Sequence, residues 1–136
     1  MRRTRIIAIL AAAALSAPAQ AQEWTGSFEE PQVELISEMW ALAGVCTQYS
    51  TYSVRNDALA DFLNAAMGSG DNGDAVIERK NAKVEQISAA AAAVSESGSV
   101  TVREERSDRL TASLMTRCRA LTNNPVASRF FFTATG

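Results

Sequence analysis

The chain contains no histidine, and this absence excludes several chemistries. Neither a Ser-His-Asp nor a Cys-His arrangement can be built, and the commonest general base is missing. Haem attachment through C-x-x-C-H and axial ligation by histidine are excluded as well. A zinc site is excluded because two cysteines alone cannot complete a tetrahedral set. We therefore expect no catalytic residues, no cofactor and no metal, and we expect that the protein is not an enzyme.

An enzyme that uses carboxylates alone is the remaining catalytic alternative. Glu34 and Glu38 lie one helical turn apart and form the clearest carboxylate pair. Such pairs perform acid–base chemistry or bind a cation, but on an acidic helix they usually lie on an exposed face. Asp71-Asn72-Gly73-Asp74 resembles a calcium loop in composition only, because its spacing does not follow the EF-hand pattern. A turn followed by helix capping at Asp74 explains this segment better.

Cysteine is scarce, and both cysteines lie outside the N-terminal segment. Cys46 and Cys118 are 72 positions apart and form no C-x-x-C motif, which disfavours a redox-active pair. An even number of cysteines in an exported protein predicts a disulfide. Closing a loop of this length stabilises a fold by about 4 kcal/mol in the chain-entropy model.

The first 21 residues indicate export. Three arginines among the first five residues precede the apolar run Ile6–Leu15, and Ala19-Gln20-Ala21 follows. This order is typical of a secretory signal peptide of the Gram-negative type, with cleavage after Ala21. The apolar run is about half the roughly 20 residues that span a bilayer. We therefore predict a periplasmic or secreted protein without stable membrane insertion.

Basic residues are too few in the remaining chain for general nucleic-acid binding. Removing residues 1–21 takes away three of the 13 basic residues and none of the 15 acidic ones, which leaves a formal net charge of −5. A nucleic-acid surface needs the opposite sign. The length of segment 22–136 predicts one helical domain, ending in a short aromatic tail at 126–136.

Apolar residues recur at helical spacing in four segments. Leu35, Met39, Leu42, Cys46 and Tyr49 define a first helix, which ends near Ser50. Two starts are compatible with its sequence: a capping box formed by Ser27 and Glu30, and Pro31 as the first helical residue after Glu30. Ser53 is expected to cap a second helix that ends before Gly68.

The third helix is expected near Asp74 to Ser97, and the fourth from a capping box at Thr101 to Thr122. Apolar residues at helical spacing in the third helix are Ile77, Val84, Ile87, Ala91 and Val94. The alanine run 89–93 favours close packing against a neighbouring backbone. Charged residues of both signs in the fourth helix are typical of a solvated face. The four segments predict an all-α fold, a small antiparallel bundle of about four helices joined by one disulfide.

Two aromatic clusters are candidates for an interaction surface. Phe130-Phe131-Phe132, with Arg129 beside them, either pack on the bundle or meet a partner. Tyr49 and Tyr52 lie at the first helix–helix corner. Small size, export and the missing catalytic sets favour a protein that binds another protein, as an adaptor, inhibitor or immunity factor. The alternative is a carrier of a small apolar ligand between helices.

Overall fold

The computed structural model describes residues 27–68 and 72–134. The proposed signal peptide, residues 1–21, lies outside these ranges. Four helices dominate the described part: α1 (Glu30–Cys46), α2 (Asn56–Met67), α3 (Asn72–Val94) and α4 (Val100–Asn123). Two short strands, β1 (Tyr52–Val54) and β2 (Phe131–Thr133), form one antiparallel sheet. The prediction of a mostly helical fold with four helices is confirmed, and the small sheet is an addition to it.

Two helix starts differ from the predicted capping boxes because neighbouring residues supply the caps. Glu29 is the N-cap of α1, where its backbone N–H donates to Oε1 of Gln32 at 2.9 Å, and Pro31 lies in the first turn. The box predicted at Ser27 is therefore not used. Ser99, two residues before Thr101, caps α4 by accepting the N–H of Val102 at 3.2 Å. Each cap satisfies an N–H that the first helical turn leaves without an intrahelical partner.

The predicted capping role of Ser53 is wrong. This residue lies in β1, where it pairs with Phe132, and α2 begins three residues later. Helix α1 also ends earlier than predicted, at Cys46, and turns connect it to β1. The long-range pairing of β1 with β2 thus replaces a helix cap that local sequence favours.

Helix α3 also departs from its predicted limits of Asp74 and Ser97. It begins at Asn72, whose buried side-chain oxygen accepts the N–H of Phe28 at 2.6 Å, and it ends at Val94. The connection to α4 passes through Gly98, whose φ of +154° is one that other residues rarely adopt.

The core lies where α1, α2, the sheet, the N-terminal part of α3 and the C-terminal part of α4 meet. The disulfide between Cys46 and Cys118 is confirmed, and both side chains are fully buried. It joins the end of α1 to α4. The larger hydrophobic side chains that are most completely buried beside it are Ile36, Met39, Leu42, Leu59, Val76, Leu121 and Phe131.

The helices do not all run antiparallel. Contacts from Phe28 to Asn72, from Glu30 to Arg79 and from Glu34 to Lys83 advance in the same direction along both segments, so α1 and α3 run parallel. Helices α3 and α4 form the antiparallel pair, a hairpin. Among the described residues, no helix is both long and apolar enough to span a membrane.

The apolar stripe predicted for α3 is largely uncovered. Ile77 and Val84 are 40% and 41% exposed, and Ala91 is exposed as well. From residue 77 to residue 113, all of which the structure describes, no residue is buried. Four of the five alanines at 89–93 are exposed, so the close packing predicted for this run is not observed against the described residues, 27–68 and 72–134. We call residues 84–113 the distal hairpin. Ile87 and Leu110 pack against the edge of the core, but no residue of this segment is buried.

Candidate functional site

The cleft between α3 and α4 holds α1 over part of its length. The Glu38 carboxylate of α1 accepts a hydrogen bond from Arg117 Nε of α4 at 3.0 Å. The same carboxylate lies 3.3 Å from Lys83 Nζ of α3, and only 19% of the Glu38 side chain is exposed. One carboxylate therefore contacts both walls of the cleft.

Two more glutamates extend this contact toward the start of α1. Glu34 pairs with Lys83 and lies 3.3 Å from Arg79, and Glu30 also pairs with Arg79. Glu30, Glu34 and Glu38 are four residues apart, a spacing that places them on one side of the helix. Helix α1 thus presents a regular row of carboxylates to basic residues.

The pairs of Glu38 with Arg117 and of Glu30 with Arg79 shift the pKa values of their members away from neutrality. Burial raises the pKa of Glu38, but the hydrogen bond and charge of Arg117, together with Lys83, outweigh burial and hold that pKa below its ordinary value. The hydrogen bond from Arg117 to Glu38 raises the pKa of Arg117. At the exposed end, the hydrogen bond to Arg79 lowers the pKa of Glu30. Ion pairs therefore hold α1 in the cleft. Glu34 and Glu38 both take part in these structural contacts.

The walls of the cleft continue past α1 into the distal hairpin. Ala90 lies seven residues after Lys83 on α3, while Leu110 and Arg106 lie seven and eleven residues before Arg117 on α4. Spacings of seven and eleven keep a residue on the same helix face. An open groove of about 290 Å³ occupies this position. The distal groove is lined by Ala90, Ala93, Val94, Arg106, Arg109 and Leu110.

The distal groove combines a small-residue wall with two guanidinium groups. Arg106 Nη1 donates to the carbonyl oxygens of Ala93 and Ser97, at 3.3 and 3.4 Å. Within residues 27–68 and 72–134, no carboxylate forms an ion pair with Arg106. Arg109 is 79% exposed and meets Glu105 only at 3.8 Å. None of the three acidic residues of α4 lines the groove, so its charge is positive.

Sequence reasoning assigned Arg106 and Arg109 to a solvated face of mixed charge. In the structure Arg106 and Arg109 line the groove and the acidic residues of α4 do not, while Arg117, from the same predicted face, contacts Glu38. The signal that identifies this side is the spacing of Arg106, Leu110 and Arg117 at steps of four and seven. Counting the charged residues along the helix does not reveal this spacing, because the count does not record on which side of the helix each residue lies.

The two aromatic clusters come together at the sheet. Tyr52 pairs with Thr133, and its hydroxyl donates to the carbonyl oxygen of Met115 at 3.3 Å. Phe130 and Phe131 are buried, so this part of the tail packs on the domain. Phe130 lies 5.1 Å from the ring of Phe62, centroid to centroid.

The remaining members of these clusters reach solvent. Phe132 is 37% exposed, and the Arg55 guanidinium lies 5.1 Å from the centre of its ring. Arg129 is exposed and stacks 5.4 Å from the centre of the Phe130 ring, whereas Tyr49 is half-buried. An interaction role for this cluster stays a prediction, and it now rests on Phe132, Arg129 and part of Tyr49.

Metal-ligating side chains do not gather in groups of three or more anywhere in the described ranges. Comparisons of the chain with protein-family models, with curated proteins and with solved structures find no match.

Proposed function

We propose that this protein acts by binding another protein, without catalysing a reaction, and that the distal hairpin is its binding element. The observation that carries the proposal is the distal hairpin itself, residues 84–113, in which no residue is buried. This stretch contains exposed valines, the alanine run and the distal groove.

The length of the hairpin supports a binding role. Ordering a residue costs about 1–2 kcal/mol of backbone entropy, and most helices recover this cost by packing an apolar face. In the distal hairpin, Ile87, Val94 and Leu110 are only half-buried. Packing therefore offsets less of the entropy cost in these two helices than it does in the helices of the core. A partner that covers this surface supplies the missing burial.

The open shape of the groove favours a protein over a carried small molecule. A ligand site usually encloses most of its ligand, whereas this groove opens along the side of two helices. We also propose that binding takes place outside the cytoplasm. The signal-like N-terminal segment and the buried disulfide both support an oxidising compartment.

The test compares two alanine-to-glutamate variants in an affinity purification from periplasmic extract of the bacterium that encodes the chain. Ala90→Glu places a charge in the distal groove, and Ala60→Glu places the same charge on the exposed side of α2. We expect the unmodified protein and Ala60→Glu to retain a stoichiometric partner that Ala90→Glu loses. Circular dichroism checks that both variants fold. Absence of a stoichiometric partner of the unmodified protein contradicts the proposal.

A further inference from the structure

We propose that the partner presents an acidic amphipathic α-helix, and that this helix occupies the distal groove as α1 occupies the neighbouring part of the same cleft. The inference rests on the proposed function and names the chemistry of the segment that the hairpin binds.

Helix α1 shows which kind of segment this cleft binds within the protein itself. Its glutamates at every fourth residue reach basic side chains of α3 and α4, while Val33, Ile36 and Met39 of the same helix are buried in the core. The contact with Arg117 and Lys83 fixes how far apart the two walls stand at Glu38. At Glu38, therefore, the two walls stand far enough apart to hold a helix.

The side chains of the distal groove repeat this chemistry. Arg106 and Arg109 supply positive charge on the α4 side, as Arg117 does for α1. On the α3 side, Ala90 and Ala93 are small enough to let a helix backbone approach closely. Carboxylates at a spacing of four and apolar residues between them complement both features.

A helix fits this site better than an extended peptide does. Extended segments bind by adding to a sheet edge, and the groove is bordered by two helices without a strand. An amphipathic helix in a groove uses anchors at positions i, i+3, i+4 and i+7, which is the pattern by which α1 packs. A partner helix in the distal groove therefore makes the same kind of contact with α3 and α4 as α1 does in the neighbouring part of the cleft.

The test uses a synthetic peptide with the sequence of residues 29–45, acetylated and amidated, as the acidic helix. A matched peptide carries glutamine at positions 30, 34 and 38. Each peptide is titrated into isotope-labelled protein comprising residues 22–136 with its disulfide intact, and amide chemical shifts are followed by NMR. We expect the acidic peptide to shift the amides of Ala90, Ala93 and Leu110.

Two double variants separate specific contacts from net charge. Arg106→Gln/Arg109→Gln removes the two guanidinium groups of the groove, and Arg55→Gln/Arg119→Gln removes the same charge elsewhere. We expect the first variant to bind the acidic peptide about tenfold more weakly and the second to bind it almost unchanged. The glutamine peptide is expected to bind the unmodified protein about tenfold more weakly as well.

Three outcomes overturn the inference: no shift in the groove at millimolar peptide, shifts confined to the core because the peptide displaces α1, or equal binding of both peptides. None of these outcomes removes the proposed function, which depends on whether Ala90→Glu loses a native partner. If that variant loses its partner and the acidic peptide does not bind, the hairpin binds a partner segment of different chemistry.

Discussion

Glu38→Gln is the substitution that best tests how α1 is held in the cleft. Glutamine has nearly the same shape and retains one acceptor oxygen, so the change removes charge and leaves packing in place. In the unmodified protein, the carboxylate accepts hydrogen bonds from two nitrogens of Arg117 and lies 3.3 Å from Lys83 Nζ. Hydrogen bonds to charged groups contribute roughly 1.5–3 kcal/mol each, and an ion that loses its partner in a partly buried site adds a cost. Because glutamine keeps part of the bonding, we expect a loss of about 2 kcal/mol in the free energy of unfolding.

The assay is urea denaturation at pH 7, with Glu30→Gln as the control. Glu30 lies at the exposed end of the same row, with 73% of its side chain accessible, so its substitution is expected to leave stability unchanged within error. The difference between the unmodified protein and Glu38→Gln also depends on pH. The folded pKa of Glu38 is lowered, so its contribution is present above the unfolded pKa of about 4.3 and is lost as pH falls through the folded pKa. Equal stability of the two variants at pH 7, or a difference between the unmodified protein and Glu38→Gln that does not shrink as the pH falls below about 4.3, refutes the reasoning.

Two further predictions concern the core. Cys46→Ala/Cys118→Ala removes the cross-link over 72 residues and is expected to lower the free energy of unfolding by about 4 kcal/mol, measured by urea denaturation. Two thiols that react in the unmodified native protein contradict this pairing. Phe131→Ala is expected to cost roughly 3–5 kcal/mol because its side chain is almost fully buried, whereas Phe132→Ala costs less than about 1 kcal/mol. Similar melting temperatures for the two phenylalanine variants are incompatible with the observed sheet register.

Helical periodicity predicts most of the fold because its signal is local. The repeat of apolar residues identifies all four helices, and the two cysteines on apolar faces predict the bond that joins α1 to α4. The sheet was missed for a physical reason. Strands of three residues are too short to show alternation, and Ser53 finds its partner Phe132 far along the chain. Local sequence favours a cap at Ser53, and tertiary pairing overrides it.

The candidate site was harder to predict than the helices. Periodicity identifies an apolar stripe on α3, but it does not say whether another element covers that stripe. Val84 and Ile36 are both apolar residues at helical spacing, yet Val84 is 41% exposed and Ile36 is fully buried. Recognising the groove also requires the relative positions of α3 and α4, which the sequence of either helix does not contain. Arg106 therefore looked like any other charged surface residue.

The way in which α1 is attached to its two neighbours makes the domain respond unevenly to its surroundings. A covalent bond joins α1 to α4, and dissolved ions do not affect that bond. Glutamate–lysine and glutamate–arginine pairs contribute to the attachment of α1 to α3, and these are screened as ionic strength rises. We therefore expect concentrated salt to weaken the contact of α1 with α3 before it weakens the contact of α1 with α4. Amide hydrogen exchange measured along α3 and α4 tests this order.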